Sequence, residues 1–143
     1  MFLEDLGHLV NSQELYVPIP PVPASRPRVA RFGTYYSKRH QAYVRSFTAF
    51  LKYYEPAWEY LPKDRRLAVV LEFACKRPKK ISVNSPPYDI DNLIKLPLDC
   101  LTSAEMFWHD DVQVEICIGI KRYAQKGEEP HTVVRVWEIE EET

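Results

Sequence analysis

The spacing of hydrophobic residues predicts four strands. A short extended segment over 15–19 is followed by strands over 67–75, 112–120 and 132–139. In the strands 67–75 and 112–120, apolar residues recur at every second position, which is the period of a strand with one buried face. In the strand 112–120 we expect five apolar side chains to point inward: Val112, Val114, Ile116, Ile118 and Ile120.

Two helices are predicted between these strands. The first covers residues 40–54, because its apolar side chains recur at helical spacing and form one face. The second follows Asp91, its predicted N-cap, and is limited by Pro97, whose ring would clash with the carbonyl of Leu93 in a helix already two turns long. This helix therefore either starts near Leu96, with the proline in its first turn, or kinks at the proline.

The elements follow the order β, arm, α, β, α, β, β, in which the arm is the proline-rich segment 20–39. This order predicts one mixed α/β (α+β) domain over residues 1–143, with a small mixed β-sheet and two helices packed on one face. The last two strands are joined by a short connection, so we expect them to form an antiparallel hairpin. Residues 1–14 are predicted to be an extension, and residues 140–143 an acidic tail.

The composition is that of a soluble globular protein, since 45% of the 143 residues are apolar and 27% are charged. No apolar run reaches the length of about 18 residues that a membrane span requires, and the acidic N-terminal stretch does not resemble a secretory signal. The three cysteines, Cys75, Cys100 and Cys117, are far apart and set in apolar runs. They are typical of reduced core thiols in a cytoplasmic protein and not of a disulfide framework or a zinc site.

The charges are divided unevenly along the chain, although the net charge is only −1. Residues 1–88 contain fourteen Lys and Arg against seven acids, whereas residues 89–143 contain five against thirteen. This asymmetry predicts a basic surface for a polyanion beside an acidic centre.

The arm is basic, contains aromatic residues and has no acid. Arginines interleaved with Phe32, Tyr35 and Tyr36 suit phosphate contacts combined with stacking on bases or sugars. The alternative is a solvated loop, which is what most charge runs are. We predict that cations of the arm and of the turn 76–80 contact nucleic acid: Arg26, Arg28, Arg31, Lys38, Arg39, Lys76, Arg77, Lys79 and Lys80.

Residues 88–114 hold six carboxylates, which fall into two clusters. Asp89 and Asp91 are separated by one residue and point to the same side of an extended chain. Asp110 and Asp111 open the strand that follows, where adjacent acids repel each other without a partner. Clusters joined by a helix-length segment can converge, and converged carboxylates need a cation. We therefore predict that these four acids are the ligands of a magnesium site for phosphodiester chemistry.

Two further interpretations of this stretch stay open. Asp91, Lys95 and Asp99 are spaced by four residues and would form a ladder of salt bridges on a surface helix. His109 is either a general base or metal ligand beside the acids, or an exposed residue of a turn. The other three histidines have no cluster around them. The sequence contains no Gly-rich phosphate loop, no Ser/His/Asp pattern and no CxxC motif.

Three motifs follow one another within residues 15–123: an SRPRxxR-x-G-x-Y arm, a central DIDNLIKxxLDxL and a following FWHDDVQV. In this order they resemble the RusA family of Holliday-junction resolvases, which are common in phages and prophages. The resemblance implies a small homodimeric endonuclease of mixed α/β fold that depends on Mg²⁺, with Mn²⁺ as a substitute. Such enzymes cut four-way DNA junctions by paired symmetric nicks that leave a 5′-phosphate and a 3′-hydroxyl.

The resemblance also assigns roles to residues of the two acid clusters. The implied catalytic residues are Asp89, Asp91, Lys95 and Asp111. Asp110 stands beside the last of these, and Asp99 matches a motif position to which we assign a supporting role. The chain departs from the family pattern at Pro97, where a small helix-former is usual, and in the TSAEM loop, which lacks the glycine often found before the FW pair.

The sequence thus leads to the hypothesis of an endodeoxyribonuclease that acts on branched DNA in recombination, repair or phage DNA processing, in the cytoplasm of a bacterial host. Two alternatives remain. One is a non-catalytic DNA-binding protein whose acids serve structure alone, and the other is a Mg²⁺-dependent nuclease for other branched or flapped DNA.

Overall fold

The computed structural model of the chain describes residues 8–54 and 58–140. The elements of this part are β1 (His8–Val17), β2 (Arg28–Ala30), β3 (Gly33–Tyr35), α1 (Lys38–Tyr53), β4 (Arg66–Cys75), α2 (Ile90–Ser103), β5 (Val114–Tyr123) and β6 (His131–Glu140). A short 3-10 turn, Asp111–Gln113, precedes β5. The predicted order of strands and helices is found, with a two-stranded hairpin, β2–β3, inside the arm.

Four of the strands form one sheet in the order β1-β6-β4-β5. β4 pairs parallel with β5 and antiparallel with β6, and β6 also pairs antiparallel with β1. The predicted hairpin of β5 and β6 is therefore wrong, because β4 lies between them. β4 is apolar at nearly every position, and a central place in the sheet buries both of its faces.

A β-bulge divides β5 into two parts. Leu67 of β4 pairs with Val114, but the next residue, Ala68, pairs with Ile116, so Glu115 is an extra residue on β5. A shift of one residue moves every later side chain of a strand to the opposite face of the sheet. Beyond the bulge, the side chains of β5 therefore lie on the faces opposite to those that a regular alternation predicts.

The bulge reverses the prediction for three isoleucines. Ile116, Ile118 and Ile120 lie on the face of the sheet that is turned away from α1 and α2, so the expectation that they point inward is wrong. Val112 precedes the strand and is 80% exposed. Val114 does pack against the core, as predicted.

Both helices pack on the same face of the sheet, as predicted. α1 contributes Phe47 and Leu51 to the core, and α2 contributes Leu93 and Leu101. These side chains meet the inward residues of β1, β4 and β6. Neither helix in the described ranges is long and apolar enough to cross a membrane.

α2 begins at Ile90 and continues through Pro97. The alternative in which the helix starts near Leu96 is therefore wrong. Asp89, and not Asp91, occupies the N-cap position. A proline in a helix interior costs about 3 kcal/mol, and here the proline ring and the adjacent Leu96 are buried, which offsets that cost.

α2 lies close to β5 because Gly119 has no side chain. A Cβ atom at this position would be 2.7 Å from side-chain atoms of both Ile90 and Ile94, which is closer than packed carbon atoms approach. Gly119 therefore sets how near the first turn of α2 comes to the sheet, and with it the position of Asp89.

The two ends of the described chain pair with each other in the sheet. Residues 8–14, expected to belong to an extension, form most of β1 and pair with β6. Glu140 is the last residue of β6, and residues 1–7 and 141–143 lie outside the described part of the chain.

The cysteines are free in the structure. Cys75 and Cys100 are buried, and burial raises the pKa of these thiols to about 11 and about 12. Cys117 is exposed on the edge strand β5, so the prediction that all three are core thiols is wrong for this residue.

Candidate active site

The turn that carries the second acid pair is held by the buried amide of Gln113. Its Oε1 atom accepts hydrogen bonds from the backbone N–H groups of His109 (2.8 Å) and Asp110 (2.9 Å). Its Nε2 atom donates to the carbonyls of Pro62 (2.8 Å) and Arg65 (3.1 Å). Four residues from two distant segments are thus fixed by one side chain, which places the acids at the start of β5.

Gln113 was not among the predicted site residues, because regular alternation in the predicted strand 112–120 places it on the face opposite the inward residues. Asp110 and Gln113 are three residues apart and form a capping box. In this arrangement each side chain accepts a hydrogen bond from a backbone N–H group at the other end of the turn. An Asp-x-x-Gln pattern before an apolar run is a known signature of such a turn. This signal is present in the sequence and predicts that the strand begins only after the turn, at Val114.

Trp108 fixes the other side of the same turn. Its indole is fully buried, and Nε1 donates a hydrogen bond of 2.8 Å to Oγ1 of Thr102 near the end of α2. The turn is therefore tied both to the end of α2 and to the loop before β4. His109 between these anchors is exposed, and its charge contributes to the lowered pKa of Asp110.

The carboxyl groups of Asp110 and Asp111 interact closely. The backbone N–H of Val112 donates to Oδ1 of Asp110 at 3.1 Å, and this bond, together with one from Asp111, lowers the pKa of Asp110. The hydrogen bond between the two carboxyl groups raises the pKa of Asp111, and burial and the negative charges of Asp110 and Asp99 raise it further. Two adjacent carboxylates without a cation between them resist ionising together.

Lys95 and Asp99 of α2 belong to the surroundings of this pair. Nζ of Lys95 lies 3.6 Å from Asp99, and the charges of both residues act on the pKa of Asp111, the lysine lowering it. Part of the predicted ladder is therefore present on α2. The structure brings Lys95, Asp99, Asp110 and Asp111 into one electrostatic neighbourhood.

The first acid cluster lies at the beginning of α2. The backbone carbonyl of Asp89 accepts from the N–H groups of Asn92 and Leu93, and Asp91 lies in the first turn with its side chain exposed. Exposed carboxylates at a helix N-terminus are favoured by the helix dipole. The side chain of Asp89 makes no capping hydrogen bond, so it is available to an external ligand.

Lys121 of β5 holds the segment that leads into this cluster. Its Nζ atom donates to the carbonyls of Pro86 (2.9 Å) and Tyr88 (2.6 Å). Lys121 was not among the predicted site residues, because a lysine just after the predicted strand 112–120 gives no sign of which loop it will contact. Together with Gly119, Lys121 positions Asp89 relative to β5.

The first acid cluster lies at the start of α2, whereas the turn that carries Asp110 and Asp111 is tied to the end of this helix by the bond from Trp108 to Thr102, and Asp111 interacts with Asp99. Eight residues separate Asp91 from Asp99, a rise of about 12 Å in a helix. In the described ranges, no three His, Cys, Asp or Glu side chains come close enough together to hold a metal ion. The predicted four-ligand site therefore stays a prediction.

The acid pair at the turn nevertheless suits a divalent cation. Mg²⁺ usually keeps several water ligands and binds through one or two carboxylates together with substrate phosphates. Asp110 and Asp111 supply two hard oxygen ligands whose mutual repulsion is not neutralised within the pair. Asp89 and Asp91 supply two more from the other end of the same surface.

The arm lies next to the start of α2. The backbone N–H of Ala24 donates to the carbonyl of Asn92 at 2.8 Å, which ties the arm to the first turn of this helix. The predicted cations of the arm are exposed, as are Val29 and Phe32, each at 86%. Gly33 has a φ of +120°, which lets the hairpin β2–β3 turn tightly.

The basic turn 76–80 lies on the same side. Its side chains are exposed, and Lys76 and Arg77 line a cavity of about 260 Å³ together with Arg39 and Tyr88. Tyr88 directly precedes the first acid cluster. Cations from the turn and from the arm thus flank the beginning of α2.

The described chain combines a mixed sheet that carries two helices on one face, exposed carboxylates on one of these helices and basic segments beside its start. The chain belongs to the RusA endodeoxyribonucleases, since residues 18–137 match the family described as Endodeoxyribonuclease RusA. The predicted family and the predicted enzyme class, an endodeoxyribonuclease, are confirmed. A search of curated proteins finds no match. Nucleases of this family generally depend on divalent metal ions.

Proposed function

We propose that this protein is a Mg²⁺-dependent endonuclease that resolves Holliday junctions by paired nicks, in bacterial or phage DNA recombination and repair. The observation that carries the proposal is the neighbourhood of Lys95, Asp99, Asp110 and Asp111 on a surface flanked by exposed cations. An acidic centre repels DNA unless cations beside it bind the phosphates. The chain supplies both parts, with acids on α2 and at the turn before β5 and with cations beside the start of α2.

The acids would act by holding the metal at the cleaved phosphate. A bound divalent ion lowers the pKa of a water ligand and neutralises charge on the phosphate oxygens. Asp110 and Asp111 provide ligands on the rigid turn, and Asp89 and Asp91 provide ligands at the start of α2. Lys95 lies beside them as a compact cation that can bind a non-bridging oxygen or orient the attacking water.

The face of the sheet opposite the helices supports the assignment as a homodimer. It carries apolar side chains from three strands, including Val70, Ile118 and Trp137, and half-exposed residues at its borders. Arg135 in this face forms ion pairs with Glu14 (2.9 Å) and Glu72 (3.1 Å), so its charge is neutralised within the chain.

A second copy is the occupant that we assign to this face. Four strands of ten residues present an area of about 600 Å², and two such faces together bury about 1,200 Å², which is the lower range for a stable interface. Two copies related by a two-fold axis would place two acidic centres on one four-way junction, which itself has that symmetry.

The test is cleavage of a synthetic four-way junction with Mg²⁺, with Mn²⁺ and with EDTA. We expect two symmetric nicks with either metal ion and none with EDTA. Asp91→Asn is expected to lower the rate at least about 100-fold while junction binding is retained. Asp64→Asn, the same change in an exposed loop, is the matched control and should cleave normally.

The outcomes separate the alternatives. Cleavage by Asp91→Asn at the wild-type rate would remove this residue from the catalytic set. Binding of the junction without cleavage under any metal would favour a non-catalytic DNA-binding protein. A panel that includes flaps, forks and linear duplexes identifies the preferred substrate, and faster cleavage of flaps than of junctions would overturn the proposed specificity.

A further inference from the structure

His40 closes the base of the arm, although the sequence showed no cluster around it. Its Nδ1 atom lies 3.1 Å from the backbone nitrogen of Ser25 and 3.3 Å from Oγ of the same serine. Oγ of Ser25 accepts from the N–H of Ser37 at 3.1 Å, and the N–H of His40 donates to Oγ of Ser37 at 3.2 Å. The two ends of segment 26–36 are thus joined through one imidazole ring and two hydroxyl groups.

The bond to Ser25 determines the protonation state of the ring. A backbone N–H group is always a donor, so Nδ1 of His40 must present a lone pair to it. The ring in this arrangement is therefore neutral and carries its proton on Nε2. A proton on Nδ1 would place two N–H groups against each other and open the base of the arm.

The surroundings of His40 favour the neutral ring. The residue is 8% exposed, and the ring of Tyr36 stacks on it at 4.2 Å with an interplanar angle of 16°. The charged groups that face it come from α2: Asp99, which favours the protonated ring, and Lys95, which opposes it. Burial is the largest effect and lowers the pKa of His40 below its ordinary value of 6.5.

We propose that His40, in its neutral form, is a positioning residue for DNA, because it holds the arginines of the arm in a fixed place relative to α2. Segment 26–36 carries Arg26, Arg28 and Arg31 and has mostly exposed side chains, so the closure at its base and the bond from Ala24 to Asn92 determine where it points. This inference rests on the proposed function, since it assumes that the arm contacts DNA.

Two variants distinguish the effect of the hydrogen bond at Nδ1 from the effect of the volume of the ring. The side-chain oxygen of His40→Asn can take the place of Nδ1 and does not titrate, whereas His40→Leu fills space but accepts no hydrogen bond. In the free protein, hydrogen exchange of the Ser25 and Ser37 amides is expected to be slow in the wild type and in His40→Asn. In His40→Leu both amides should exchange at least about tenfold faster, while amides of β4 are unchanged.

Junction binding gives the second readout. The pKa of the closed form is lowered, so closure is complete above about pH 6.5 and weakens as the pH falls from there toward the lowered pKa. Wild-type affinity should therefore decrease below pH 6.5, by at most about tenfold per pH unit. His40→Asn should show no such decrease beyond that caused by the other histidines, and His40→Leu should bind about tenfold more weakly at pH 7.5.

Two results would overturn the inference: unchanged exchange of the Ser25 and Ser37 amides in His40→Leu, or equal pH dependence of binding in the wild type and His40→Asn. A failure of the proposed function would look different. If Arg28→Ala and Arg31→Ala bind the junction as the wild type does, the arm is not a DNA contact, and the exchange data still decide whether His40 closes it.

Discussion

Single side chains, rather than whole elements, determine where the acids of this protein lie. Gln113 fixes the turn of Asp110 and Asp111 through four bonds of 2.8–3.1 Å, and Lys121 holds the backbone before Asp89. Both residues are polar, and neither is an exposed candidate for catalysis. The acids themselves are exposed, so their positions are fixed by these buried or half-buried residues.

The first prediction concerns Gln113. Gln113→Leu removes all of its hydrogen bonds and leaves several buried backbone groups unpaired, which should lower the free energy of unfolding by about 3 kcal/mol. The turn should also move, so the cleavage rate falls more than junction binding. Chemical denaturation and single-turnover cleavage measure the two effects. Gln125→Leu in the exposed β5–β6 connection is the control. An equal loss of stability in both variants would contradict the proposed role of Gln113 in holding the turn.

The second prediction concerns the repulsion at Asp111. Its pKa is raised in the folded protein, so ionisation is less favourable there than in the unfolded chain, and this cost is present once the pH has risen through the raised pKa. At pH 7.5 without metal, Asp111→Asn should therefore have a higher Tm than the wild type. Mg²⁺ should raise the Tm of the wild type more than that of the variant, which thermal scans with and without EDTA would show. Equal shifts with Mg²⁺ would argue against a cation at this pair.

At the level of elements, the sequence predicted a helix or strand correctly where the spacing of its own residues determines the structure. The helix period of α1, the strand at β4 and the arm before α1 were all predicted and found. The errors came from interactions between elements. Nothing in the alternation of β5 reveals the bulge at Glu115, because its cause is pairing with β4, and the start of α2 depended on burial that outweighs the cost of Pro97.

The candidate site was predictable in its residue types and less so in its arrangement. The acids and Lys95 stand out by their spacing, and the structure does place Lys95 and Asp99 near Asp111. The position of Asp89 and Asp91 relative to the end of α2 depends on where this helix starts. The sequence left that start open. Gln113 was detectable as a capping box, whereas the contact of Lys121 with the loop before α2 required the three-dimensional structure.

The third prediction tests the arm as an element. Charge removal by Arg28→Ala and Arg31→Ala should weaken junction binding and reduce the slope of log affinity against log salt by about 0.9 for each lost phosphate contact. Filter binding or fluorescence anisotropy between low and moderate salt measures the slope. Lys126→Ala, an exposed cation in the β5–β6 connection, should leave the slope unchanged. An unaltered slope in both arginine variants would show that the arm does not touch phosphates.

For the whole molecule, the helix-free sheet face is the surface with the clearest need of a partner. Its apolar residues include the three isoleucines that the bulge moves away from the core, and Ile120 is 46% exposed. Isolated apolar side chains on a surface are common, but a row of them across a sheet is typical of an interface. The same feature that made the sequence prediction fail thus supports the proposed dimer.

The fourth prediction is that Ile120→Lys yields a monomer. The new cation would face Glu72, the partner of Ile120 in the β-ladder, so the single copy should still fold, while two such faces would no longer pack. Sedimentation at micromolar concentration should show half the wild-type mass, and a cruciform plasmid should be nicked rather than linearised. Val83→Lys, in an exposed loop, should remain a dimer. A dimeric Ile120→Lys would place the interface elsewhere.

The position of β6 has a consequence for how the chain is made. β6 lies between β1 and β4, and its pairing with β1 joins His8 to Glu140. During synthesis β1 emerges first, yet the strand that connects it to the rest of the sheet is translated among the last residues described. Contacts so distant in sequence form slowly, and the unpaired edges of β1 and β4 stay exposed until then. The nascent protein therefore depends on completing β6 before β1 can join the sheet, and a ribosome that stalls before His131 would hold a chain in which β4 and β5 can pair but β1 has no partner strand.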